Sequence, residues 1–242
     1  MSSLCGKIVE LVRLRGVAGI GDLLVHACAE FYNEWRLGIT TTHWALERAG
    51  LPKRVTHWYG AVPYRAFRKA MGSIEITPWH DVFLDCGAGM GRACILAAMY
   101  PFAKVIGVEV LPELVDICRQ NIAKVRHRLQ CKRIEVVMHD AVSYKLPDEV
   151  TVLYLFNPFH GTGMKAVFEA VRSSLVSTPR PFTVMFLNTR FFQEELRQYS
   201  WLTRVNAFTF SFASAPRGLD CVILKADPDR AASVTGDNGS VQ

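Results

Sequence analysis

The sequence predicts an α/β domain: a doubly wound, mostly parallel sheet with a C-terminal antiparallel hairpin, preceded by a helical cap. Three observations predict it. From Asp81 onward, short runs rich in β-branched and aromatic residues alternate with segments of helical spacing. Those runs are apolar throughout, as strands buried on both faces must be. After Tyr199 two further strand-like runs are joined by Ala-Ser-Ala-Pro-Arg-Gly, which leaves no room for a helix.

With 242 residues, half of them hydrophobic, the chain can bury one sizeable core and is short for two. Residues 1–70 read as an N-terminal helical cap and substrate-side extension, 71–226 as the main domain and 227–242 as a disordered tail of small, polar residues. In the cap, Leu24, Ala27, Cys28, Phe31 and Trp35 recur at three and four residues, which predicts a helix face that docks on the domain. A stretch rich in aromatic and basic residues follows, Trp44 to Lys69, with Trp58, Tyr59, Pro63, Tyr64 and Phe67.

Strands are expected at Val82 to Cys86, Val105 to Val110, Ile134 to His139, Val150 to Phe156 and Phe182 to Leu187, and the hairpin at Leu202 to Phe212 and Leu219 to Leu224. Between them, Leu114, Ile117, Cys118, Asn121, Ile122 and Val125 line one helix face, and Met164, Val167, Phe168, Val171 and Leu175 line another.

Composition excludes several classes. The apolar N-terminal stretch Ile8 to Phe31 is broken by Arg13, Arg15, Gly16, Gly19, Gly21 and Asp22, so no clean membrane span is expected. Seven cysteines form no C-x-x-C pair and no metal-ligand spacing with histidine, so neither a metal site nor a disulfide framework is expected and the chain reads as cytoplasmic. The net charge of +6 is spread without a long basic run, as on an ordinary enzyme surface.

In an open parallel sheet, ligands lie beyond the carboxyl ends of the strands, so strand ends are where chemistry is sought. The first strand runs into Asp85-Cys86-Gly87-Ala88-Gly89-Met90-Gly91, whose alternate glycines allow close backbone approach to a ligand and a sharp entry into the next helix. A dinucleotide site begins similarly, but its pattern wants a glycine where Arg92 stands and asks for no carboxylate at Asp85. The second strand ends in Glu109, placed to accept bonds from ribose hydroxyls, or else to cap the helix that starts at Pro112. The third ends at Asp140, suited to an adenine amino group or to an ordinary loop. The fourth ends Asn157-Pro158-Phe159-His160, which brings an amide to the pocket floor or simply turns the chain. Tyr59 and Tyr64 are candidates to close over a cation, or to pack the cap.

Asp85 to Gly91, Glu109, Asp140 and Asn157-Pro158-Phe159, in this order and each at a strand end, resemble the motifs of class I, Rossmann-like S-adenosylmethionine (SAM)-dependent methyltransferases. More narrowly, Trp35 to Thr41, Tyr59 to Phe67 and Tyr154 to Phe159 are similar to a poorly characterised bacterial branch of that superfamily, a likeness covering roughly Asn33 to Thr189. The resemblance implies SAM as cofactor. Asp85, Gly87, Ala88, Gly89 and Gly91 would hold its methionine part, Glu109 with Val110 its ribose, and Asp140 with Ala141 its adenine, with Tyr59, Tyr64 and Asn157 around it.

Methyl transfer from a sulfonium is a direct displacement that needs alignment and exclusion of water. Asn157-Pro158-Phe159 resembles the shorter half of the Asn-Pro-Pro-aromatic motif of amino-methyltransferases, and it implies catalytic roles for these residues with an amine of a protein or small molecule as acceptor. It departs from that motif by one proline, which brings Phe159 one position early. Nucleic acid stays open as acceptor, as does O-methylation of a small metabolite with His160 or His139 as base. A catalytically silent SAM-binding module is the non-enzymatic alternative.

Overall fold

Apolar side chains in the strands alternate between two separate cores, and that alternation sets the layering of the molecule. The computed structural model describes residues 13, 16, 18–42, 59–157, 162–212 and 215–234. Residues 43–58, Pro158, Phe159, His160 and 235–242, which carry some of the expectations above, lie outside the described residues.

The described elements are α1 (Ala18–Leu37), α2 (Tyr64–Met71), β1 (Val82–Cys86), α3 (Arg92–Ala97), β2 (Lys104–Glu109), α4 (Pro112–Val125), β3 (Ile134–Met138), β4 (Val152–Phe156), α5 (Thr162–Ser177), β5 (Thr183–Leu187), α6 (Gln193–Leu196), β6 (Leu202–Phe212), β7 (Ala215–Ala226) and α7 (Pro228–Ser233). One sheet runs β3-β2-β1-β4-β5-β7-β6. The first five strands pair in parallel, and β7 runs antiparallel between β5 and β6. The order reverses beside β1, between β1 and β4, which is the switch point where such sheets open a crevice for ligand.

Phe83, Val105, Val152, Tyr154 and Met185 face one core together with Phe67, Cys94 and Phe102. Their neighbours Leu84, Ile106, Leu153, Val184 and Phe186 face the other, with Met164, Phe168, Val171, Leu175 and Trp201. Because consecutive strand residues point to opposite faces, a run apolar throughout is what a sheet covered on both sides requires.

Three expectations are corrected. The helix α2 closes on the sheet, with Tyr64 and Phe67 fully buried and the Phe67 ring 5.2 Å from Tyr154, so it belongs to the core and the boundary placed at residue 70 falls inside it. The tail expected from 227 begins with a helix: Asp227 Oδ1 accepts from the amides of Asp229 and Arg230, Pro228 occupies the first turn and Ala231 is buried.

The third correction concerns α1. Its apolar stripe does not dock: Leu24, Phe31 and Trp35 are 61%, 74% and 70% exposed. The inward face instead carries Glu30, Asn33, Glu34 and Leu37. The cause is a buried guanidinium on the domain, because an unpaired charge in the interior costs more than a stripe of apolar side chains gains by burial.

Candidate active site

Val108 and Glu109, at the end of β2, organise the neighbouring strand ends. The Val108 carbonyl accepts from the amides of Gly87 and Ala88, each at 2.9 Å, which fixes the turn after β1. Glu109 is 8% exposed; its Oε2 accepts from the Gly89 amide at 2.8 Å, and its Oε1 from the amides of Val110 at 2.9 Å and Leu111 at 3.0 Å. Its carbonyl accepts from His139 N at 3.0 Å, tying in the end of β3. Glu109 thus braces the glycine loop and the turn that leads into α4, whose N-cap is Leu111 with no side-chain cap.

Gly87 and Gly89 have φ of +99° and +54°. A Cβ on Gly87 would meet nothing within 4 Å, so a ligand can approach the backbone there. A Cβ on Gly89 would lie 2.6 Å from Tyr59 Cε2, because the tyrosine ring rests on the loop. Tyr59 is held there by its hydroxyl, which donates to the Thr41 carbonyl at 2.8 Å, and by packing with Met90 and Leu114. Gly89→Ala is expected to cost on the order of 2–3 kcal/mol in thermal melts, from left-handed strain plus the clash. In a double-mutant cycle with Tyr59→Ala, about 1 kcal/mol or more of that cost should disappear.

Asp85, 3% exposed, ends β1 beneath this loop, and Cys94 Sγ donates to its Oδ2 at 3.4 Å. Burial pushes its carboxyl up to about 7; the Cys94 hydrogen bond opposes the rise and the Glu109 charge adds to it. A buried carboxyl beside a second carboxylate is a place that would welcome a cation.

Asp140 is exposed, and its Oδ1 accepts from Val142 N at 2.9 Å to hold the turn after β3, with Ala141 buried and Val110 55% exposed nearby in sequence to Glu109. Asn157 ends β4 exposed and left-handed, φ +46°. It is not a buried amide on a pocket floor. Its Oδ1 accepts from Asn188 Nδ2, and its own Nδ2 lies 3.6 Å from where a Cβ on Gly60 would be. Asn188, φ +62°, occupies the corresponding position after β5 and donates its amide N–H to the Asp220 carbonyl at 2.6 Å. Asn188 was missed by sequence reasoning, although the strand-end rule that found Asn157 also points to it.

Tyr64 is not brought to this crevice. It is fully buried, with the Arg92 guanidinium 4.3 Å from its ring centre, and burial pushes its phenol up to about 12. Arg92, 4% exposed, is the residue around which the cap is fastened. Its Nη1 bonds Glu30 Oε2 and, at 2.8 Å, the Val62 carbonyl; Nη2 bonds Glu34 Oε1 at 3.0 Å and Nε bonds Thr41 Oγ1 at 2.7 Å. The Thr41 hydroxyl donates in turn to Glu34 Oε1 at 2.6 Å. Asn121 Nδ2 adds bonds to the carbonyls of Thr40 and Met90, both at 3.0 Å. Thus one network joins α1, the Thr41 segment under Tyr59 and the glycine loop. The sequence signal was Glu30 and Glu34, four residues apart on one helix face, a like-charge pair that needs a cation between them.

Among the described residues there is no cluster of His, Cys, Asp and Glu that could hold a metal, and no helix long and apolar enough to cross a membrane.

Residues 83–177 match the methyltransferase domain family. The sheet order, five parallel strands that reverse between β1 and β4 and an antiparallel pair after them, is that of a Rossmann-like fold. No curated protein sequence matches the chain. Among solved structures, it is similar to TrmN of Thermus thermophilus at 13% identity and TM-score 0.54, over 72% of this chain and 53% of that one. It is similar to the StiE O-MT region at 15% identity and TM-score 0.53, over 81% and 86%. An RNA methyltransferase of Salinibacter ruber, solved with S-adenosyl-L-homocysteine, aligns at 17% identity and TM-score 0.48, over 69% and 94%. At these identities the likeness is one of fold.

Proposed function

We propose that the chain transfers a methyl group from SAM, by direct displacement, to an amine nitrogen of a protein or another amine-bearing substrate. When bound, SAM supplies an electrophilic methyl on a sulfonium. Asp85 and the open backbone at Gly87 would hold the methionyl end, where the pair of carboxyls at Asp85 and Glu109 suits its cationic groups. Glu109 would accept from the ribose hydroxyls, and Asp140 with Val110 and Ala141 would border the adenine. Tyr59 would cover the loop and exclude water.

The observation that carries the acceptor class is Asn157, presented at the carboxyl end of β4 with its amide anchored by Asn188. The second lone pair of its Oδ1 can accept a hydrogen from an amine as positive charge develops on that nitrogen. Pro158 and Phe159 would complete that subsite. The unpaired cysteines among the described residues support a reducing, cytoplasmic setting.

Incubation of the purified chain with methyl-labelled SAM and cell extract is expected to label amines. Asn157→Ala should lower the labelling rate about tenfold to a hundredfold with SAM affinity within about twofold. Label confined to base-labile esters or phenols would contradict the amine reading, and SAM binding without transfer to any acceptor would contradict the enzymatic one.

A further inference from the structure

α1 and α2, with the C-terminal end of α3, border a groove of about 590 Å³ lined by Tyr32, Asn33, Arg36, Arg65, Arg68 and Tyr100. Three guanidiniums thus meet on two helices. Asn33, 5% exposed, accepts from Arg68 Nη2 at 2.6 Å and so presets the position of that side chain. Among the described residues, no carboxylate lines the groove and none of the three arginines is in an ion pair. The nearby acids of α1, Glu30 and Glu34, are taken up by Arg92.

The other half of the surface is aromatic. Tyr32 is 55% exposed and its ring centre lies 6.2 Å from that of Trp35, 70% exposed on the same helix. Trp35 belongs to the stripe that the sequence predicts to be docked and that the fold leaves outside. Beyond Arg65 and Arg68, α2 continues the positive charge with Lys69, whose Nζ stands 4.4 Å from the Phe208 ring centre.

We propose that this groove binds single-stranded RNA, with phosphates at Arg36, Arg65 and Arg68 and unstacked bases against Tyr32 and Trp35. A row of cations alone would suit any polyanion. Cations beside exposed, paired aromatic rings suit a polyanion that also offers planar faces, and a single strand offers both where a duplex hides its bases. That the bound strand supplies the acceptor, through exocyclic base amines, rests on the function proposed above.

The test is fluorescence anisotropy of a labelled single-stranded 12-nucleotide RNA with the full chain, without SAM. Binding is expected to weaken as salt rises. Arg36→Ala with Arg65→Ala should weaken it at least about tenfold and flatten the salt slope by roughly 1.4. Tyr32→Ala with Trp35→Ala should cost about five- to a hundredfold with the slope kept. Arg197→Ala, a control beside α6 on the opposite face of the sheet, should stay within about twofold. No binding, equal binding of a duplex, equal competition by a phosphopeptide of matched charge, or no change in the groove variants would overturn the proposal. Adding labelled SAM separates the two claims: label reaching the RNA supports it as acceptor, and binding without label retains the groove and refutes that role.

Discussion

Replacing Arg92 with alanine is expected to lower stability by about 3–5 kcal/mol, among the largest effects available to a single substitution in this chain. The guanidinium is 4% exposed and sits between two carboxylates whose side chains are themselves only 16% and 13% exposed. Removing it strands both acids in a site from which water is largely excluded, and the cation–π contact with Tyr64 is lost as well. For a chain of this size the melting temperature should fall by roughly 6–20 °C. Arg92→Lys should recover only part of the loss, since an ammonium cannot make the four separate bonds of the planar fork. Combining Arg92→Leu with Glu30→Gln and Glu34→Gln should recover more, because it removes the charges instead of orphaning them. A change below about 1 kcal/mol for Arg92→Ala would show that the cap is not fastened this way.

The second large effect is on donor binding, through Asp85. In the ligand-free protein the neutral carboxyl is favoured up to about pH 7, so binding a cationic donor should draw out a proton. The sign follows directly. A carboxyl whose folded pKa is raised adds stability that is complete below the ordinary carboxylate pKa and lost as pH rises through about 7; SAM affinity should move the other way. From about pH 5.5 to about 7.5 the affinity should rise, approaching tenfold per pH unit at the acid end, and calorimetry in buffers of different ionisation enthalpy should register proton release. Asp85→Asn should weaken SAM binding by about tenfold to a hundredfold at pH 7.5 and abolish the pH dependence. A flat profile in the unsubstituted protein would contradict the placement of Asp85 at the cationic end of the donor.

How far these features were legible in the sequence depends on whether their causes are local. β1 and β6 match their expected limits, and β2 to β5 differ by one or two residues; for β1, β2, β4 and β5 a buried run bounded by turn residues leaves little choice. Glu109 and the glycines were legible because close backbone approach admits few residue types. The orientation of α1 was not legible. Its apolar spacing is real, but which face turns inward was decided by Arg92, 57 to 68 residues further along the chain than the positions of that stripe and buried only once the domain has formed. Tyr59 and Tyr64 show the same limit: equal as aromatic residues five apart, they are separated by the fold into one resting on the glycine loop and one sealed beneath a guanidinium. The helix at 228–233 had a local signal in Asp227-Pro228, outweighed by the small, polar residues around it.

Isothermal titration of the purified chain with SAM, with NAD as comparison and Glu109→Ala as the variant, reaches the central claim most directly. Binding of one SAM per chain is expected, with none for NAD and a loss of at least about tenfold in the variant, whose loop amides at Gly89, Val110 and Leu111 also lose their acceptor. Asp85→Asn provides the check that leaves those amides satisfied. Heat from NAD but not SAM, or SAM bound equally well by both variants, would mean that the strand-end carboxylates do not form the donor site.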